Sequence, residues 1–203
     1  KNMSDDGIKH YKIAGPNDGS RGGTMEDGIL YFPYWLLGYE DMIGLLVERT
    51  DQYAPNQSMV LSRAVTAAKL HYLEQRHETD FIEHFTVDSP IPYRLEYVLD
   101  ELKRLNQEMV PGAKGERQGD FHGKLSRLIA RLENKMTDRR LGFMMNPPEE
   151  TYEMSWLDKL ASGLLCGRDH QADKRGGVKI VDFSEVPSDI LPLVIGRGAH
   201  LVF

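Results

Sequence analysis

Two hydrophobic periods run through the 203 residues, and the helical one occupies most of the chain. From Pro55 onward, Leu61, Val65, Ala68 and Tyr72 recur every three or four positions, so they share one helix face, with Asn56 or Ser58 placed to cap its start. The stretch TVDSPIPYRLEYVLDELKRLNQEMV is stronger. There Leu95, Val98, Leu99, Leu102, Leu105 and Met109 align behind two prolines that prevent an earlier helix start. GAKGERQG then reads as a loop. Beyond it, Phe121, Leu125, Leu128, Ile129, Leu132 and Met136 form another apolar stripe, with Lys124, Arg127, Arg131 and Lys135 among the exposed positions. The breaker Pro147-Pro148 precedes a further helix through SWLDKLASGLLCG.

Strand-like patterns are confined to the two ends. IKHYKIA predicts a short strand, followed by a Gly-, Asp- and Asn-rich loop around GPNDGSRGGTMEDG. ILYFPYWLL gathers bulky residues around Pro33, which argues against an uninterrupted central strand. A buried edge strand or extended segment leading into a helix at YEDMIGLLVERT is expected instead. Near the other end, Val178, Ile180, Val181 and Phe183 in GVKIVDFSEV read as a buried parallel strand, with neighbours on both sides and helices on both faces. Ser188 is placed to cap the helix after it, and Pro192 is tolerable in that helix's first turn. One or two such strands leave unpaired edges, so the missing partners are expected outside the sequence. A start without Met and an end within the apolar run LPLVIGRGAHLVF carry the same expectation, a piece of a larger protein.

Composition narrows the classes without naming one. The net charge of −6 excludes a generic polyanion binder and leaves only local patches for nucleic acid. No apolar run approaches the ~20 residues of a membrane helix, and the single cysteine, Cys166, fits a reducing compartment. A soluble, cytoplasmic chain is expected, with no membrane partner.

The candidate chemistry is sparse. GDFHGKL, residues 119–125, resembles a phosphate-binding loop but is one spacer residue short, and Leu125 stands where a hydroxyl must reach magnesium. The glycines of GRG at 196–198 fall inside a predicted helix, where close packing or a loosened helix accounts for them. The seven histidines lack metal-ligand spacing, Cys166 has no evident base, and the pairs Asp100-Glu101 and Glu149-Glu150 read as solvated charge. NKMTDRRLGFMM is more informative. Asp138, Arg139 and Arg140 either answer the dipole of the preceding helix or place a guanidinium at a neighbouring subunit, a phosphate or a DNA backbone. Lys124, Arg127 and Arg131 either extend that patch towards nucleic acid or form a solvated helix face.

Four segments in order resemble the HerA branch of the HerA–FtsK ATPases: YFPYWLLGYEDMIGLL, NQSMVLSRAVTAAKL, ENKMTDRRLGFMM and VKIVDFSEVPSDILPLVIGRGAHLVF. They are similar to the family's Pro-x-Trp-Leu-Leu segment and following helix, its Asp-x-Arg-x-x-Phe stretch and its Asp-x-Ser strand. The resemblance implies a mainly α chain with a few strands, made of a helical insertion and part of a RecA-like α/β core. Residues 1–54 would be a loop and core segment, 55–175 the insertion, and 176–203 a core strand with the start of its helix. The intact protein would be a P-loop NTPase, a hexameric ATP-driven DNA translocase or helicase that binds ATP and Mg2+. It would act on double-stranded DNA with a nuclease or other effector, in DNA-end processing or anti-phage defence. The Walker A loop would precede residue 1 and the Walker B strand would follow Phe203. The resemblance therefore implies no catalytic residue and no bound cofactor within this segment. Two alternatives remain open: a non-enzymatic helical interaction module, and a degenerate ATPase that scaffolds a ring.

Overall fold

The computed structural model describes residues 8–18, 23–113, 115–165 and 178–202. The fold is mainly helical with small sheets. In chain order its elements are β1 (Ile8–Ile13), β2 (Ile29–Leu30), α1 (Tyr39–Leu46), α2 (Ala54–Gln75), α3 (Thr79–Ile82), α4 (Leu95–Gln107), β3 (Met109–Gly112), β4 (Gly115–Gln118), α5 (Ser126–Thr137), α6 (Gly142–Met145), α7 (Ser155–Leu165), β5 (Val178–Asp182) and α8 (Leu191–Val202). Short 3-10 turns cover Tyr34–Leu36, Arg139–Leu141 and Glu149–Tyr152. The chain divides into two compact units, one formed by the residues up to Tyr34 with those from Asp138 onward, the other by Trp35–Thr137.

In the first unit, β1 is the centre of a parallel sheet ordered β2-β1-β5. Ile8 faces Val178 and Lys12 faces Asp182, so the terminal segments meet in register along five residues. Pro33 acts as the pattern predicts: β2 stops after two residues, and buried Tyr31 and Phe32 follow outside any strand. The Phe32 N–H then donates to the Phe143 carbonyl at 3.1 Å. That bond brings the aromatic run against the buried LGFMM segment, whose Leu141, Phe143, Met144 and Met145 join Tyr152 and Trp156 in this unit's core. The Tyr11 hydroxyl donates to the Gly163 carbonyl of α7 at 2.9 Å. A β-carbon at Gly163 would meet the tip of the Met25 side chain, which would have to swing aside.

In the second unit, α2 packs along α4 and α4 along α5. The stripes supply the core: Leu61, Val65, Ala68, Leu95, Val98, Leu102, Leu125, Leu128 and Leu132 are all buried. Burial of one such leucine is worth roughly 1.5–3 kcal/mol, so the summed stripes outweigh the weak helix propensity of residues such as Val60, Val65 and Thr66.

Several expectations need correction. GAKGERQG is not a loop: Met109–Gly112 and Gly115–Gln118 pair antiparallel as β3 and β4, with Met109 opposite Gln118 and Gly112 opposite Gly115. Met109 therefore leaves the helical stripe and stands 46% exposed. Phe121 likewise precedes α5, in the turn that enters it. The N-cap of α2 is Tyr53, with Pro55 in the first turn, rather than Asn56 or Ser58. The parallel pairing of β5 matches the reading, but its burial does not. Val178 is 53% and Ile180 43% exposed, because among the described residues β5 has β1 as its only sheet neighbour. Ser188 makes no cap either; the Pro187 carbonyl accepts the N–H groups of Ile190 and Leu191 ahead of α8. Gly196 and Gly198 lie within α8, and a methyl at either would meet nothing within 4 Å, so close packing does not explain them. Cys166 lies outside the described residues.

No described helix is long and apolar enough to cross a membrane.

Candidate functional site

The carboxyl ends of β1 and β5 open onto a cleft of about 370 Å3 lined by Pro16, Arg140, Ser184, Glu185 and the Val186–Asp189 turn. The sequence builds each wall locally. After β5, the Asp182 carboxylate accepts the Ser184 N–H at 2.8 Å, turning the chain sharply out of the sheet. That backbone donor, the Ser184 hydroxyl and the charge of Lys12 hold the Asp182 carboxyl below its ordinary range. After β1, Asp18 accepts the Gly15 N–H at 2.8 Å and pairs with Lys12 at 2.9 Å. Glu185 lies against Gly15, with its Oε2 only 2.9 Å from where a β-carbon would sit.

Arg140 reaches this cleft because Asp138 caps the turn Arg139–Leu141 and then grips the guanidinium. The Asp138 Oδ1 accepts the Arg140 N–H at 3.0 Å and its Nε at 3.1 Å, while Oδ2 accepts Nη2 at 2.7 Å. These bonds, and the charge of Asp189 beyond them, raise the Arg140 pKa above its ordinary value. The two arginines thus belong to a new turn capped by their own aspartate, not to the last turn of α5, which closes at Thr137. Arg140 remains 70% exposed at its side chain, fixed in direction and open to solvent. Arg139 is exposed, and its guanidinium has no ion-pair or hydrogen-bond partner among the described residues. A guanidinium tethered along one edge keeps its other edge for an incoming oxygen ligand, which is how arginine recognises carboxylate or phosphate.

The other predicted cations lie in the second unit. Arg131 pairs with Glu48, and Arg127 stands 3.6 Å from the Asp51 carboxylate, whose side chain is only 3% exposed. Asp51 sits below its ordinary pKa chiefly because it accepts the Tyr53 N–H, with Gln57, Arg127 and Arg131 adding to the effect. Lys124 stands in the turn entering α5 and lines a separate cleft with Asp51 and Gln57. Two of the three cations therefore answer carboxylates of their own unit.

GDFHGKL does not fit Mg2+-ATP. The strand before it, β4, is exposed along its whole length, and Leu125 is fully buried in the core where a metal-binding hydroxyl would be needed. Nor does the Arg140 cleft, in which one guanidinium faces Glu185 and Asp189. Among the described residues no group of three or more His, Cys, Asp or Glu is arranged to hold a metal ion.

Sequence reasoning located Asp138 and Arg140 but not their cleft partners Glu185, Ser188 and Asp189, nor buried Asp51 and Gln57. Polar residues in turns carry no period; the one legible signal was their proximity to a strand end. No family model matches the chain, and no curated protein aligns with it significantly.

Proposed function

We propose that this chain is part of a hexameric, ATP-driven DNA translocase of the HerA type, working with a nuclease or other effector in DNA-end processing or anti-phage defence. The observation that carries the reading is the placement of the segment similar to the family's Asp-x-Ser strand. That segment, β5, lies parallel beside β1, and its Asp182-Ser184 turn borders the same cleft as Arg140. Open α/β sheets bind ligands at the carboxyl ends of parallel strands, so a directed guanidinium belongs there in a RecA-like nucleotide-binding core. On this reading the loops that bind ATP and Mg2+ are carried elsewhere in the protein, and Arg139 and Arg140 act at a subunit interface or beside nucleotide.

The test is ATP hydrolysis by the intact protein with and without double-stranded DNA. Turnover stimulated by DNA is expected, and lower turnover or ring assembly when Arg139 and Arg140 are both replaced by Ala, with the fold kept. A purified full-length hexamer that hydrolyses no ATP in the presence of DNA refutes the motor and leaves a scaffolding ring. A second reading, a helical interaction module, is favoured by the compact core that Trp35–Thr137 makes for itself. It predicts a monodisperse, ATP-independent protein that captures a protein partner.

A further inference from the structure

We infer that the cleft between the Thr50–Tyr53 turn and the Gly123–Arg127 segment binds a small phosphate monoester, held by Lys124 and Arg127, whose own O–H or N–H groups are read by Gln57. The inference concerns the second unit and is independent of the motor reading.

The cleft holds about 400 Å3, enough for a ligand the size of a nucleoside monophosphate. Its deep wall is prearranged. Gln57 is 2% exposed, and its amide nitrogen donates to Asp51 Oδ2 and to the Lys124 carbonyl, each at 3.2 Å. Both amide hydrogens are thereby used, which fixes the orientation of the carboxamide. Its carbonyl oxygen receives no donor among the described residues. The oxygen is not sealed from the cleft, so a ligand hydroxyl or N–H entering it can reach this acceptor.

The mouth of the cleft is cationic. Asp51 is bound by the Tyr53 N–H at 2.9 Å and faces only Nη1 of Arg127, so the rest of that 72% exposed guanidinium is open. Lys124 has no ion-pair or hydrogen-bond partner for its ammonium among the described residues, and it borders the same space. Lys124 and Arg127 together outweigh the Asp51 charge by one, which attracts an anionic phosphate; lysine meets it as a point charge and arginine as a planar fork. A merely solvated cationic face would explain Lys124 and Arg127, but not a carboxamide whose nitrogen is held by two partners while its oxygen is left for the cleft.

The experiment is calorimetric titration of the full chain with adenosine monophosphate and with glycerol 3-phosphate, accompanied by nitrogen-edited NMR of the Gln57 side-chain amide. At least one probe is expected to bind saturably and to shift the Gln57 amide signals. Lys124→Gln should weaken that binding at least tenfold, as should Arg127→Gln, which stands in if the lysine variant is unstable. Lys159→Gln, a charge-matched change in α7, should leave it within twofold. Failure of both probes to bind overturns the assignment, as does affinity unchanged in Lys124→Gln or an unmoved Gln57 signal.

Discussion

Lys69 on α2 is 1% exposed, and its ammonium donates to the carbonyls of Val87 and Ser89 at 2.6 Å each. It also lies 5.7 Å from the Tyr93 ring, while Asp88 in the same loop accepts the Tyr39 N–H at the head of α1. Burial lowers its pKa from 10.5 to about 8, opposed by the charge of Asp88. Because the folded value lies below the unfolded one, the unfolded chain binds more protons between those limits. Stability therefore climbs as pH rises from about 8 towards 10.5, and is lowest below about 8. Integrating the linkage for this one group from about pH 7 to about pH 9.5 gives a gain of about 2 kcal/mol. Lys69→Met keeps the stem's volume and removes the titration. The Val87 and Ser89 carbonyls lose a donor, a cost present at every pH. The measurement is urea denaturation of both proteins at about pH 7 and about pH 9.5. The wild type should gain about 2 kcal/mol more than the variant over that interval, with other titrating groups cancelling in the comparison. Equal gains, or a larger one in the variant, would mean that the ammonium carries no net burial cost in the native state and would refute the reasoning.

Three further outcomes are expected. His77 ends α2 at φ 58°, a left-handed position that glycine occupies without strain, so His77→Gly should stabilise the protein by about 0.5–1 kcal/mol in the same denaturation assay. Gly196→Ala and Gly198→Ala place methyl groups in open space on α8 and should each add roughly 0.5–1 kcal/mol, seen as a higher melting temperature. Asp138→Ala removes the cap and the grip on Arg140 at once. It should cost about 0.5–2 kcal/mol in stability and broaden the Arg140 side-chain NMR signal, whereas an unchanged signal would mean the guanidinium is held by something else.

What could be read in advance follows from what has a period. The stripes at 61–72, 95–105 and 125–132 predicted α2, α4 and α5 because burial of one face every 3.6 residues leaves a trace in sequence. Pro33 likewise marked the end of β2. The pairing of β3 with β4 left no such trace, since MVPG and GERQ are almost wholly exposed and carry no alternation. The composition of β5 was legible and its exposure was not: apolar residues report affinity for a core, not whether one is present. At the site, Arg140 stood out by charge, but its direction depends on a two-residue hydrogen-bonded loop back to Asp138 that the dipole argument did not anticipate. Asp51 and Gln57 carry no signal of their own in the sequence, because the turn entering α5, where Gln57 meets the Lys124 carbonyl, helps to bury them rather than any pattern around them.

The β3–β4 ribbon has a practical side. Its strands are almost wholly exposed, and its ends are pinned where the Gly119 N–H donates to the Glu108 carbonyl and the Gly123 N–H to the Asn106 carbonyl. Chain inserted between Gly112 and Ala113, both exposed, displaces no core side chain and leaves those anchoring bonds in place. A fluorophore, an epitope or a protease recognition sequence placed there would report on the helical unit, an internal handle for following the molecule in assemblies.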